Sequence, residues 1–467
     1  MLRAPGLKRV SASSGSTARK PASPRRVRVA LCLAALLACG GLSAAPLAWQ
    51  LTLPGPGSGR LRFEAISPHL LRVWYDPSGR FARKPSLAIP HPPLARPLLD
   101  IAEADGLLRA GTGALSVEAR PGTLQFDVRA GRYGPALFSE VRIVRGSGSA
   151  WTLTDRLGAA EHLYGLGQDN RDHGRLNRRG TVRDLWAGQI IDSGNVTAQY
   201  PIPFLLSSGR DGHAYGVFFD NVHRLRFDLG ATRRDQLRID APGGPLEFYL
   251  IDGPVLADVI RRYTALTGRP SLPPLWALGY WQSKCTFRDW DDLGDAYRRL
   301  TADGFPVDVM VIDADWPEVV TDYRWAPRWK SSGHGLTPAQ MIAQYARKGV
   351  RIVMSQSGPM VQPASPTFPS GWALGIFATD GRGHPVECGY YHGDLLDFTN
   401  PKLNGWLWPQ TRRLDEAGIA GWWLDLDEPE GEPADTHYFA GRPASIHNEF
   451  ALLCALSFEG VQLAVHP

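Results

Sequence analysis

The sequence predicts a β-sandwich domain followed by a truncated (β/α)8 TIM barrel with about four βα units. Three observations carry this. Short alternating apolar runs broken by Gly, Pro, Ser and Asp extend to about residue 250, the period turns helical at Val255, and buried-type strands alternate with amphipathic helices from Leu275 onward. A chain of 467 residues, 43% hydrophobic and 10% aromatic, has ample surface to bury, which excludes disorder; five Cys are too few for a disulfide scaffold.

Residues 1–45 read as an export signal. They hold eight basic residues (Arg3, Lys8, Arg9, Arg19, Lys20, Arg25, Arg26, Arg28) and no acid. Without them the formal charge of +5 becomes −3, so no basic excess remains to track phosphates and nucleic acid is not an expected partner. The apolar run over 29–42 is too short to span a bilayer and fits a signal core cleaved near Ala44 or Ala45. Leu36-Leu37-Ala38-Cys39-Gly40 also resembles a lipobox, with Cys39 as a lipid anchor. The protein is therefore expected to be exported, periplasmic or secreted. Cys285, Cys388 and Cys454 remain, odd in number and without CxxC spacing, and are expected to be buried free thiols. No metal or cofactor is implied.

Residues 46–254 are assigned to the sandwich, with strands over 61–66, 71–75, 124–128, 141–144, 215–221, 224–229 and 246–251. Val255, Val259, Ile260 and Tyr263 recur at helical spacing; Thr267-Gly268-Arg269-Pro270 ends that helix, and Pro273-Pro274 completes a boundary segment over 255–274. Beyond it, strands are expected at 276–281, 307–313, 350–356 and 421–425, and helices at 290–302, 338–348, 401–417 and 445–458, with a long loop after 356. Such repeats imply right-handed parallel crossovers, so 275–467 reads as the first half of a barrel.

In a barrel, reactive groups gather where strands finish. Here those ends are Trp281-Gln282-Ser283, Asp313-Ala314-Asp315-Trp316, Gln356-Ser357 and Asp425-Leu426-Asp427-Glu428, and eleven of the fifteen Trp lie between 276 and 423. Carboxylates beside indole faces suit sugars: ring C–H faces stack on aromatics while hydroxyls donate to carboxylates. A calcium loop at 425–432 fails, because Pro429 and Glu430 occupy a ligand and the glycine position. No GxSxG, HExxH or Gly-rich phosphate loop occurs.

Glu247-Phe-Tyr249, the run from Gly253-Pro254 through Tyr263 to Ser283, Val311-Ile-Asp313-Ala-Asp-Trp316, Asp397-Phe-Thr-Asn-Pro401 and Gly421-Trp-Trp-Leu-Asp425-Leu-Asp-Glu-Pro429 resemble glycoside hydrolase family 31. Tyr164-Gly-Leu-Gly167 and Gly216-Val-Phe-Phe-Asp-Asn221 resemble its N-terminal sandwich, and the similarity runs in the family's order over about 50–467. The resemblance implies an enzyme that processes α-glycosides with retention, through a covalent glycosyl-enzyme on Asp425. It implies that Asp313 grips hydroxyls of the non-reducing sugar, that Trp281, Trp316 and Trp423 contribute to substrate binding, and that Glu428 and His447-Asn448 orient the nucleophile loop from behind. Asp397 is expected to be structural. A retaining displacement needs an ionised carboxylate at a strand end with a second carboxyl about 5 Å away.

Two departures matter. Asp427 stands where the family usually has Asn or Gly; it either repels the charge on Asp425 or points away from it. The family's acid/base Asp lies on strands beyond the family position of Pro467, so no residue here is assigned that role. Without a general acid a leaving group departs unprotonated, forfeiting roughly 10²–10⁴-fold, and the chain by itself is expected not to turn over aryl α-glucosides. Trp423 stands where α-xylosidases of the family tend to place Lys, which favours glucose. Residues 426–430 and the run Asp435 to Asn448 are similar to the branch containing oligosaccharide 4-α-glucosyltransferases. A vestigial or carbohydrate-binding protein is the rival of a different class.

Overall fold

The computed structural model describes residues 49–82, 86–90, 97–169, 174–192, 195–210 and 212–465; the expected leader, Cys39 included, lies outside them. Two antiparallel sheets face each other over one core. The first has seven strands, running from Gln50–Pro54 at one edge through Leu246–Gly253 to His162–Gly165 at the other; the second has nine, from Val182–Leu185 to Asp100–Ala104. The alternation read in the sequence is the pleat itself: in Trp151–Arg156 and Leu115–Ala119 every second residue is buried between the sheets.

Leu246–Gly253 is buried on both faces. Phe248 and Leu250 point into the sandwich core, whereas Tyr249 and Ile251 lie beneath helix Leu256–Thr267, which seats Val259 and Leu266 on the outer face of the sheet. The 255–274 segment is therefore no free linker in its first half. Gly216 makes the close approach possible: a Cβ there would sit 2.6 Å from Val259 Cγ1.

Beyond it, four parallel strands form an open sheet in sequence order: β1 (Trp281–Gln282), β2 (Val309–Ile312), β3 (Arg351–Ser357) and β4 (Gly421–Asp425). Among the described residues the sheet does not close into a barrel, and β1 and β4 are its edges. The strand expected over 276–281 is corrected. Leu275–Leu278 is a 3-10 helix, and Asp308 Oδ2 accepts from Tyr280 N at 2.9 Å, so pairing starts only at Trp281.

The helices form where their caps are written. Asp289 accepts from the Asp291 and Asp292 amides to start Trp290–Ala302, and Thr337 with Gln340 makes a capping box for Pro338–Arg347. The long loop after β3 holds helix Phe368–Leu374 and a small antiparallel sheet of Met360–Val361, Gly393–Leu395 and Glu387–Cys388. The last helix is His447–Val465, two residues later at its start and longer than expected. It is long and apolar enough to cross a membrane by length and composition alone. One stripe of it, Phe450, Cys454 and Phe458, is buried in the core behind the parallel sheet.

Candidate active site

Register places the chemistry. Val311 pairs with Val353 and Val353 with Gly421, while Ser357 pairs with Asp425. Side chains alternate along strands, so Val309, Val311 and Asp313, Val353, Ser355 and Ser357, and Gly421, Trp423 and Asp425 share the face opposite the helices. The lower rows are apolar, with Val309, Val311 and Val353 packed near Trp276; the upper ends carry the acids. Leu426 adopts a left-handed backbone (φ 58°), and its amide favours the charged form of the Asp425 carboxylate.

Asp425 is half-buried, and its proton affinity is raised first by burial, then by the charges of Asp313 and Glu428, against the opposing Leu426 amide. Asp313 Oδ1 accepts from Ala314 N at 2.7 Å, and Asp315 accepts from Thr286 Oγ1 at 3.2 Å. The structure thus brings Asp313, Asp425 and Glu428 into one electrostatic neighbourhood.

Two members of that neighbourhood carry no local sequence signal. Tyr391 is pushed up to about 12 by burial and then by the charges of Asp313, Asp425, Asp315 and Cys285, so it lies within their field. It sits in a tight hairpin in which Gly389 (φ 76°) and His392 (φ 54°) are left-handed. Glu430 is buried, its Oε1 has no partner among the described residues, and burial with the charges of Glu428 and Asp425 raises it to about 7. The Glu430 carbonyl accepts from Gly389 N at 2.8 Å and Cys388 Sγ at 2.7 Å, fastening the Tyr391 hairpin to the loop that follows β4.

Other expected positions resolve differently. Trp281 and Trp423 are each 40% exposed, on the two edge strands. Trp316 is corrected: at 2% exposure it offers no face to a sugar. Its Nε1–H donates to Ser355 O at 2.7 Å, and its ring packs against Trp325 at 5.3 Å, beneath the floor rather than on it. Asp427 turns into the core, where Cys454 Sγ lies 3.2 Å from Oδ2, and burial holds its carboxyl well above the usual range. Of the two readings of Asp427, the structure shows the inward-pointing one. His447 meets the loop at Glu432, not beside Asp425. Asp397 takes Thr399 N at 2.9 Å and Phe439 N at 2.6 Å, tying two loops. Cys388 and Cys454 are buried free thiols, but Cys285 is exposed, because it lies in the open segment after β1. Among the described residues no group of three or more His, Cys, Asp or Glu is arranged to hold a metal.

The architecture and these motifs agree with comparisons to known proteins. The glycosyl hydrolases family 31 TIM-barrel domain matches residues 270–464, and the family's N-terminal galactose mutarotase-like domain matches 60–228. Alpha-glucosidase 2 of Bacillus thermoamyloliquefaciens is 26% identical over 396 residues, covering 80% of this chain and 47% of the relative. Alpha-xylosidase XylQ of Lactiplantibacillus pentosus is 27% identical over 302 residues, covering 63% and 38%. The structure of the Flavobacterium johnsoniae family 31 dextranase complexed with glucose superposes with a TM-score of 0.81 at 24% identity, covering 90% of this chain and 52% of that one. The chain spans about half or less of the length of these relatives. Two matching domains in the family's own order, with curated glycosidases among the relatives, place this chain in glycoside hydrolase family 31.

Proposed function

We propose that this chain carries the nucleophile side of a retaining α-glycosidase site for α-glucosides or α-gluco-oligosaccharides, with Asp425 as nucleophile. The observation that carries this is the position of Asp425 at the end of β4, facing the same side as Asp313 and within reach of its charge. Attack of the Asp425 carboxylate on the anomeric carbon forms an ester bond as the C–O bond to the leaving group breaks. Water then attacks the same carbon and restores the carboxylate. Asp313 accepts hydrogen bonds from sugar hydroxyls, Trp281 and Trp423 supply stacking faces at the two sides, and Glu428 and Tyr391 border the carboxylate. Trp423 in place of a cation supports glucose over xylose. The proton donor to the leaving group is assigned to no residue of this sequence.

A fluoride leaving group needs no protonation, so 5-fluoro-α-glucosyl fluoride tests the nucleophile by itself. Intact-mass measurement is expected to show one fluoroglucosyl group, mapped to the Asp425 peptide and absent from Asp425→Ala. Labelling elsewhere, or none, overturns the assignment. We further propose that the protein acts outside the cytoplasm, a reading supported by the basic and apolar pattern of residues 1–45.

A further inference from the structure

A histidine joins the sandwich to the loop that follows β4. His447 opens the helix His447–Val465 and is 5% exposed. Its Nδ1 lies 2.7 Å from Glu432 Oε2, and its Nε2 lies 2.7 Å from the carbonyl oxygen of Ala187. Ala187 follows the sandwich strand Val182–Leu185, whereas Glu432 lies seven positions after Asp425. Both partners are acceptors. A neutral imidazole has one N–H and one lone pair, so either tautomer would set a lone pair against an oxygen at one of these contacts.

The surroundings agree with a cation. The imidazole lies flat on Trp186, centroids 4.0 Å and planes 4° apart, on the ring face that attracts positive charge. The Tyr438 hydroxyl donates to the other Glu432 oxygen, so that carboxylate is engaged at both ends. The Cys388 thiol also lies within the field of Glu432. From the sandwich side, Arg224 stands 5.9 Å from the Trp186 centroid and is itself neutralised by Asp184. A cation at a helix N-terminus runs against the helix dipole, so Glu432 is what makes it tenable there. Asn448 completes the joint, accepting from Ala187 N at 2.8 Å and donating to Leu185 O at 3.1 Å.

We propose that His447 is held as a doubly protonated imidazolium between Glu432 and Ala187, and that through this joint the sandwich orders the loop over 426–446. Glu432 and Trp186 are then positioning residues: both contact His447 and act on Asp425 through the loop. The proposal rests on the reading of Asp425 as nucleophile only for what the loop carries.

Two measurements on the full chain test it without substrate. In a long-range proton–nitrogen spectrum of the 15N-histidine-labelled protein at neutral pH, the signals lost in His447→Gln should show two protonated ring nitrogens. Glu432→Gln should convert them to a neutral tautomer. A neutral His447 in the unmodified chain, with the shared proton on Glu432, overturns the charge assignment. Hydrogen exchange reads the coupling: Trp186→Ala, a change in the sandwich, should speed amide exchange across 426–446 by about tenfold, whereas Trp186→Phe should stay within about threefold. Should Trp186→Ala not fold, Trp186→Leu takes its place. Exchange in 426–446 that is unchanged in a folded variant overturns the coupling. Because neither readout involves a sugar, failure of fluoroglucosyl trapping leaves both standing, and their failure leaves the trapping result intact.

Discussion

Asp313 stands on the same face of the parallel sheet as Asp425, and its charge opposes ionisation of the Asp425 carboxylate. In its proposed role as nucleophile Asp425 must be ionised, so its reactivity is present above its titration point and lost below it. Fluoroglucosyl labelling should therefore rise with pH through a midpoint above that of an ordinary Asp, about 3.9. Asp313→Asn should move that midpoint down while also slowing the plateau rate, since a hydroxyl acceptor is lost. A midpoint unmoved by Asp313→Asn would show the two acids to be uncoupled.

Glu430 gives the clearest pH signature in stability. Its folded value of about 7 lies above the unfolded value of about 4.3, so the folded chain binds the extra proton. Its contribution is fully present below the unfolded value and is lost as pH rises to about 7. Denaturant titrations at about pH 5 and about pH 8 should show Glu430→Gln gaining on the unmodified chain by at most about 3 kcal/mol. An equal difference at both pH values counts against a protonated Glu430.

Asp427 obeys the same sign, and burial again leads. It is buried with one oxygen unpartnered and no cation beside it among the described residues, so the folded state favours its proton. Asp427→Asn keeps the shape and removes the charge. It should fold, and its stability relative to the parent should improve as pH rises above the ordinary Asp range. Loss of folding in this variant would mean that an ionised Asp427 is required.

The tryptophans separate packing from binding. Trp316→Ala removes a 2% exposed side chain and its hydrogen bond to Ser355, and should cost about 3–5 kcal/mol by chemical denaturation. Trp423→Ala, at 40% exposure, should change stability by about 1 kcal/mol or less while weakening oligosaccharide binding measured by calorimetry. Similar stability costs for both would remove the distinction between floor and wall.

Elements whose ends carry their own signals were legible. Asp289 and the Thr337/Gln340 pair mark helix starts, and the apolar run before Asp313 and the β4 segment before Asp425 each end where a carboxylate appears. What depended on contact between distant segments was not. The strand over 276–281 gives way to a 3-10 turn at Leu275–Leu278, and Tyr280 N is held by Asp308, 28 residues away. Trp316 and Trp423 look alike in the sequence, and only the cluster of Trp290, Trp325 and Trp329 decides which is buried. Tyr391 lies in a stretch with no periodicity, and its hairpin is placed by the bond from Gly389 N to the Glu430 carbonyl.

That bond has a consequence for altering the protein. Because Gly389 N and Cys388 Sγ share the Glu430 carbonyl, the hairpin and the loop that follows β4 form a single wall, not two. Shortening the hairpin to admit bulkier sugars would also unfasten the segment that follows Asp425. Mutations selected for wider substrate range should therefore accumulate at exposed side chains such as Tyr390, leaving the hairpin's length and its thiol untouched.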